Sequence, residues 1–513
     1  MGLKPGRMAR TRQTVVRNAR GAAGVFGNGT VLRSSGKAPR GGQYRAPGGR
    51  MRRSGGDPHA QFAGISPEIR LEVRPGLLWE RAAMAIIRLF LKSGHLVSFT
   101  AMSYPPMTPL AIRAYTATTA LGHGREAQAE ALRARRSGLR RNDFGEDATA
   151  DARLETWIGR VEGIETLLLP RELAAYDCRN NRLAWLALQQ DGLPEAIAAL
   201  RERHGAERIA VVIGTSTSSI GASEEAYTRL DDGAFPADLR RPLLHTPHSQ
   251  GYFVQLATGL RGPCVTVATA CSSSAKVFAQ AARLIHAGVV DAALVGGVDT
   301  LCGSVLFGFN ALGLVSQQRC LPFDARRDGL NLGEAGGYAL LERCDPAQPG
   351  LTLRGYGESS DAHHMSPPHP EGLGARLAMQ GALARAGLAP AEIGYLNLHG
   401  TATPANDTTE AIAVAGLFGD GMLGEGLHAS STKGWTGHTL GAAGIVESVF
   451  ALLALERGLL PGMLGSDEAG ETQPDPACGP QIRFDNAERT IRYAMNNSFG
   501  FGGNNASLVF GRE

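Results

Sequence analysis

The chain has 513 residues, of which 43% are hydrophobic and 19% charged. That is enough apolar material for a large core and too much chain for one minimal domain, which excludes disorder throughout. A helical membrane bundle is also excluded: no run of 18 or more apolar residues occurs, and the nearest candidate, 77–96, is broken by Glu80, Arg81, Arg88 and Lys92. The charge is uneven, since residues 1–56 carry 13 Lys/Arg and no acid, leaving 39 basic against 48 acidic residues beyond them, a net −9.

The N-terminal segment is Gly-, Arg- and Pro-rich without a lasting apolar period, so it cannot bury a core. Residues 1–105 are therefore expected to be a largely disordered basic extension. It could bind nucleic acid or a membrane surface, or act as a targeting peptide. The reading adopted is an extension without function, with a regular pattern starting near Met102 or Met107. Seven cysteines form no CxxC pair. Neither a disulfide framework nor a zinc site is suggested, and a reduced, cytoplasmic compartment follows. Only Lys276 and Lys433 lie beyond residue 92 in a chain with 47 arginines, so each lysine is informative.

Pro194-Glu195-Ala196-Ile197 opens a helix, with proline where the missing N–H costs nothing. Ile209–Ile213 reads as a buried strand ending at Gly214. Val265–Ala270 is a second strand and runs into a helix from Ser272, with an apolar stripe of Val277, Phe278, Ala281, Leu284 and Ile285. Ala292–Val295 is a third, ending at Gly296-Gly297. The alternation predicts an α/β fold with a mainly parallel sheet. From about residue 350 a second series follows: a helix at 373–386, strands at 395–398 and 428–431, and a helix at 442–455. Gly333 to Gly337 before the strand 338–342 is echoed by Gly500 to Gly503 before 506–510, which suggests two related halves.

Cys271 lies between a strand and a helix start, where unpaired N–H groups favour a thiolate and a sharp turn exposes the sulfur. His399 leaves the strand 395–398 at its carboxyl end, where α/β sites form. His438 lies in Lys433-Gly-Trp-Thr-Gly-His438-Thr-Leu-Gly-Ala-Ala-Gly444. A strand-end cysteine and two histidines suggest a nucleophile served by two imidazoles. Each alone has an ordinary structural explanation.

Four motifs occur in order: Thr269-Ala270-Cys271-Ser272-Ser273, His399-Gly-Thr-Ala-Thr-Pro404, Lys433 to Gly444, and Asn497-Ser-Phe-Gly-Phe-Gly-Gly503. Together they resemble the beta-ketoacyl-acyl carrier protein synthases of the Cys-His-His class, over about residues 108–511. The resemblance implies a thiolase-like five-layer α-β-α-β-α fold from two duplicated halves, here 106–345 with the nucleophile and 346–513 with both histidines. It implies a decarboxylative Claisen condensation. Cys271 would be acylated, and His399 and His438 would polarise the malonyl thioester. The N–H groups of Cys271 and Phe501 would hold the acyl carbonyl, and Phe501 would gate the acyl pocket. Lys433 would support the histidines with Glu334 as its ion partner, and Thr401 and Thr403 would place the phosphopantetheine arm. No cofactor or metal would be bound. The partners implied are acyl carrier protein, with Arg179 and Arg182 as its docking cluster, and a second copy or a related chain-length-factor subunit. No nucleic acid is expected.

Thr215-Ser-Thr-Ser-Ser219 and Gly434-Trp435 depart from the common family pattern. Ser272 to Lys276 and Asp299-Thr-Leu-Cys302 are more similar to the ketosynthases of bacterial aryl-polyene pigment clusters. A non-catalytic chain-length-factor-like subunit is the chief rival, and it would lack the nucleophile. A Cys-His-Asn condensing enzyme is a second rival, against which Gly437-His438 argues.

Overall fold

The apolar runs form strands close to where the sequence places them. The computed structural model describes residues 104–145, 153–419, 426–464 and 472–513. The extension expected over 1–105 lies outside these, apart from Tyr104 and Pro105. Ten strands build the main sheet: β1 (Leu110–Thr119), β2 (Ile209–Gly214), β3 (Cys264–Val267), β4 (Ala292–Asp299), β5 (Ala335–Arg343), β6 (Leu351–Ser360), β7 (Tyr395–Asn397), β8 (His428–Ser430), β9 (Tyr493–Gly500) and β10 (Asn504–Arg512). Their lateral order is β8-β7-β9-β10-β6-β1-β5-β4-β2-β3, with the two-residue strand Gly122–His123 beside β1.

From the centre outwards one half reads 1-5-4-2-3 and the other 6-10-9-7-8, which is the same order advanced by five. The pairing directions repeat as well. β2 is parallel to β3 and β4, and β7 is parallel to β8 and β9. The remaining neighbours are antiparallel, including β1 and β6, which meet through Leu110↔Leu353 and Ala111↔Thr352. The expected mainly parallel sheet is therefore corrected to a mixed one. The glycine-rich echo falls on β5 and β10, equivalent strands of the two halves.

Helices Ser273–His286 and Ala443–Arg457 form the middle layer. Ala443 to Leu455 are buried without a break, as a helix covered on all sides requires. Their side chains join those of β1, β4, β5 and β10 in one core. A second core packs the helices Arg179–Leu188, Leu193–His204 and Ser249–Thr258 on β2, β4 and β5. A third packs Leu373–Ala386 and Pro404–Phe418 on β7, β9 and β10. The five-layer arrangement is borne out.

Gly296-Gly297, expected to end a strand, lies inside β4. A Cβ at Gly296 would meet the Tyr338 ring at 2.3 Å, and one at Gly297 the Ser274 side chain at 2.5 Å. Gly297 lets the helix after Cys271 sit directly on the sheet, and Gly296 leaves room for the Tyr338 ring. No helix among the described residues is long and apolar enough to cross a membrane.

Candidate active site

Cys271 follows Ala270, whose φ of +52° is a left-handed conformation that costs a non-glycine residue energy. This turn presents the sulfur across the start of helix Ser273–His286. Cys271 is buried, and its Sγ lies 3.0 Å from His438 Nε2. The expected thiolate is corrected. Burial pushes the Cys271 thiol up to about 11, while the Lys433 charge and the backbone N–H groups of Phe501 and Cys271 pull it back only in part. Helix-start stabilisation is a local effect and enclosure outweighs it here. The same two N–H groups are those expected to hold an acyl carbonyl.

Gly500 makes that approach possible. A Cβ there would lie 2.8 Å from Thr269 O and 3.1 Å from Ser272 N. Only a residue without one lets the Phe501 backbone reach Cys271.

His399 stands just beyond β7, and its backbone is fixed by Glu410. One carboxylate oxygen accepts from His399 N and the other from Gly400 N, each at 2.8 Å, and Asn497 Nδ2 donates to the first at 3.2 Å. Burial pushes the Glu410 carboxyl up to about 7 against these donors. Lys433 Nζ donates to His399 O and faces His399 Nδ1 at 3.5 Å. An ammonium has no acceptor, so Nδ1 must carry the lone pair and Nε2 the proton. Burial first, then Lys433 and His438, holds His399 well below the usual imidazole range. It is a neutral N–H donor.

His438 is held by its main chain. His438 N donates to Asn331 O at 2.7 Å, and its carbonyl accepts from Gly333 N at 3.0 Å. Its ring is 5.5 Å from that of His399, at 84°. Burial and Lys433 hold it neutral as well. Its Nδ1 has no hydrogen-bond partner among the described residues, so its tautomer, unlike that of His399, is not fixed.

The Lys433–Glu334 pairing is corrected. Lys433 Nζ donates to Glu447, on the central helix, whose carboxyl burial raises to about 7. Glu334 accepts instead from Arg179 Nε at 2.9 Å and Nη2 at 2.6 Å, and from Val161 N and Leu301 N. A planar guanidinium fork meets both oxygens of a buried carboxylate, which an ammonium cannot do. Arg179 and Arg182, expected as the docking cluster, both take part in ion pairs within the chain. Arg179 is committed to Glu334 and Glu165, and Arg182 to Asp177. Glu410 and Glu447 were not singled out from sequence. Each shares its helix with a second acid, Asp407 and Glu456, so the sequence carried little signal for either.

A cavity of about 320 Å³ opens onto this group, lined among others by Cys271, His399, His438, Thr401, Thr403 and Phe501. The hydroxyls of Thr401 and Thr403 are 2.8 Å apart. Phe501 stacks on Phe309, with ring centroids 5.8 Å apart and planes at 20°. Donor atoms of Cys271, His399 and His438 all lie within 4.8 Å of one another. A soft divalent cation could use such spacing, but the ammonium beside His399 disfavours a second positive charge. What the group offers chemically is a thiol beside a proton acceptor, with neutral N–H donors converging on one cavity.

Two family profiles match the chain: the beta-ketoacyl synthase N-terminal domain over 107–347 and the C-terminal domain over 351–467. A mitochondrial 3-oxoacyl-[acyl-carrier-protein] synthase of Arabidopsis thaliana is 38% identical over 272 residues, 50% of this chain and 58% of that protein. A 3-oxoacyl-[acyl-carrier-protein] synthase 2 of Staphylococcus aureus is 34% identical over 320 residues, 60% of this chain and 77% of that protein. Among solved structures, a ketosynthase in complex with its chain length factor from Xenorhabdus doucetiae aligns with a TM-score of 0.70 at 36% identity. It covers 80% of this chain and all of that one. A beta-ketoacyl synthase from Burkholderia phymatum aligns at 0.68 and 29%, over 79% of this chain and all of that one.

Proposed function

The chain belongs to the beta-ketoacyl synthase family, and on that premise we propose that it condenses an acyl group with malonyl-acyl carrier protein, losing carbon dioxide. The observation that carries the reading is the convergence of Cys271 Sγ, His438 Nε2 and the His399 ring on one cavity. In the first half-reaction the Cys271 sulfur attacks the thioester carbonyl of an acyl carrier. The thiol proton passes to His438 Nε2 and on to the departing phosphopantetheine sulfur. The new S–C bond replaces the old one, and the N–H groups of Cys271 and Phe501 hold the oxyanion.

In the second half-reaction malonyl thioester enters. Its C–C bond to the carboxylate breaks, and the electron pair collects on the thioester oxygen. His399 Nε2–H and His438 Nε2–H donate to that oxygen, an arrangement worth about 2.7–4 kcal/mol per donor. The enolate carbon then attacks the acyl carbonyl on Cys271, and the cysteine leaves as thiolate and takes a proton from solvent. The free tautomer of His438 suits both tasks, acceptor first and donor second. Lys433 acts behind His399 by fixing where its proton sits. Thr401 and Thr403, which line the cavity, would hold the phosphopantetheine arm. No resident cofactor enters the scheme, since the substrates arrive on the carrier.

The Xenorhabdus relative's assembly with a chain length factor supports a related subunit as partner, a second copy being the alternative. A chain-length-factor role for this chain itself is less well supported, because Cys271 and both histidines are in place. All seven cysteines are free, which supports a cytoplasmic location.

Intact-mass analysis with acyl- and malonyl-carrier thioesters tests the reading. An acyl adduct on Cys271 is expected, and Cys271→Ala abolishes it. His399→Ala and His438→Ala still acquire the acyl group but do not elongate it. Normal elongation by both histidine variants would overturn the mechanism.

A further inference from the structure

Lys276 is one of two lysines beyond residue 92, and the chemistry above does not use it. It lies on helix Ser273–His286, five residues after Cys271. Its ammonium is partly buried, and no carboxylate among the described residues pairs with it. Its hydrogen bond goes to the amide oxygen of Asn504, Nζ to Oδ1 at 3.2 Å. The other end of that amide, Nδ2, donates to the carbonyl of Phe501 at 3.3 Å. A cation on the oxygen of an amide polarises it and strengthens donation from its nitrogen.

The segment gripped in this way needs holding. Gly502 and Gly503 both have positive φ, +76° and +71°, and end the single 3-10 turn Phe501–Gly503 between β9 and β10, so no extended helix or sheet ladder fixes their backbone. Two main-chain bonds tie the far side, Gly502 N to Met365 O at 2.9 Å and Asp361 N to Gly503 O at 3.0 Å. The Phe501 peptide, whose N–H lies against the Cys271 sulfur, carries the Asn504 side chain on its carbonyl. Asn504 is thus the link between the nucleophile's own helix and the backbone donor that serves the nucleophile.

We propose that Lys276 and Asn504 are positioning residues that register the Phe501 N–H on Cys271, so that the helix presenting the sulfur also sets its oxyanion donor. The inference rests on the condensing reading of the site for its kinetic consequence, but not for its structural one. Lys276→Met removes the cation and keeps the stem, Asn504→Ala removes the link, and Lys276→Arg keeps a donor within reach.

Hydrogen exchange is measured by mass spectrometry on full-length protein, alongside acyl transfer to Cys271 and malonyl decarboxylation. Lys276→Met and Asn504→Ala should each speed exchange in the 499–505 segment and leave 395–400 unchanged. Each should slow acyl transfer on the order of tenfold, part of what one oxyanion donor supplies. Decarboxylation, which relies on the histidines, should stay within twofold. The double variant should be no slower than the worse single one, as expected of two residues acting as a unit, and Lys276→Arg should restore most of the rate. Unchanged exchange at 499–505, multiplicative losses in the double variant, or an equal loss of decarboxylation would each overturn the proposal. Failure of the unaltered protein to acquire any acyl group would instead overturn the functional reading, while the exchange result would still judge the Lys276–Asn504 link.

Discussion

Replacing Lys433 by Met should separate the two half-reactions. The ammonium faces His399 Nδ1 at 3.5 Å and donates to the His399 carbonyl and to Glu447. Two unit charges about 4 Å apart at an effective dielectric of 20 interact by about 4 kcal/mol. That is an upper figure for how strongly Lys433 opposes an imidazolium at His399, since Glu447 offsets part of it. Without the ammonium, Nδ1 is free to carry the proton and Nε2 loses its fixed donor role. Losing one such donor costs roughly 10²–10³ in rate, so malonyl decarboxylation should fall about 10²-fold at pH 8. Acyl transfer to Cys271 depends on Lys433 only through its charge and should fall far less. The pH dependence has a definite sign. In the unaltered protein the His399 pKa is depressed and the ring stays neutral as pH falls through 6.5. In the variant that depression is relieved in part, so the imidazolium appears at a higher pH and the deficit deepens from pH 8 to pH 6. Malonyl turnover on the carrier, followed by mass at several pH values, reads this directly. Lys433→Met with Glu447→Gln removes the stranded carboxyl and controls for lost folding. Decarboxylation within twofold of the unaltered protein at pH 7 would refute the reasoning.

Gly500→Ala should push the Phe501 N–H off the sulfur, because the new methyl would lie 2.8 Å from Thr269 O. Acyl transfer should drop about 10²-fold while decarboxylation persists, and equal losses in both would argue against two separate oxyanion sites. With its thiol pushed up to about 11, Cys271 should react with iodoacetamide about tenfold faster for each pH unit between 7 and 10. A plateau below pH 9 in peptide-resolved alkylation would show that the thiolate is already formed. Glu410→Gln turns an amide N–H₂ toward a backbone N–H of residues 399 and 400. It should lower stability by about 1–3 kcal/mol and depress decarboxylation, measured by urea unfolding and carrier mass. Arg179→Met strands the fully buried Glu334, a change worth about 3 kcal/mol in unfolding free energy, the low end for a broken buried pair because the guanidinium is partly exposed. Carrier affinity should not change, and weakened carrier binding at unaltered stability would support the docking role for Arg179.

How far the sequence can be read depends on how local each cause is. Cys271, His399 and His438 are legible because each sits in a short motif of distinctive residue types, even though His438 is held from distant Asn331 and Gly333. The repeat of β1–β5 in β6–β10 left a trace in the glycines at the start of β5 and before β10, but pairings such as β1 with β5 and β6 with β10 did not, since long stretches of chain separate those strands. Charge partners are not local either. Lys433 pairs with Glu447, 14 positions on, because the central helix passes under His399, and nothing in the spacing prefers it over Glu334. The thiol shows the same limit. A helix start is visible in sequence, whereas burial is a property of five packed layers. Gly296 and Gly297 look like a turn until Tyr338 and Ser274 are seen against them.

Enclosure also explains why the site is built from dipoles rather than charges. A cation placed against the malonyl carboxylate would stabilise the ground state and oppose loss of carbon dioxide, because only interactions stronger in the transition state accelerate the step. The buried Lys433 ammonium stands behind His399 with Glu447 as counter-ion, and it acts on the imidazole instead of the substrate. In front stand neutral N–H groups and the Phe499 ring, 6.0 Å from that of His399. Such donors gain most as negative charge moves from the carboxylate onto the thioester oxygen. The burial that raises the Cys271 thiol is thus the same burial that keeps both imidazoles neutral. A site with a more acidic thiol, reached by adding a cation near the sulfur, should acylate faster and decarboxylate more slowly.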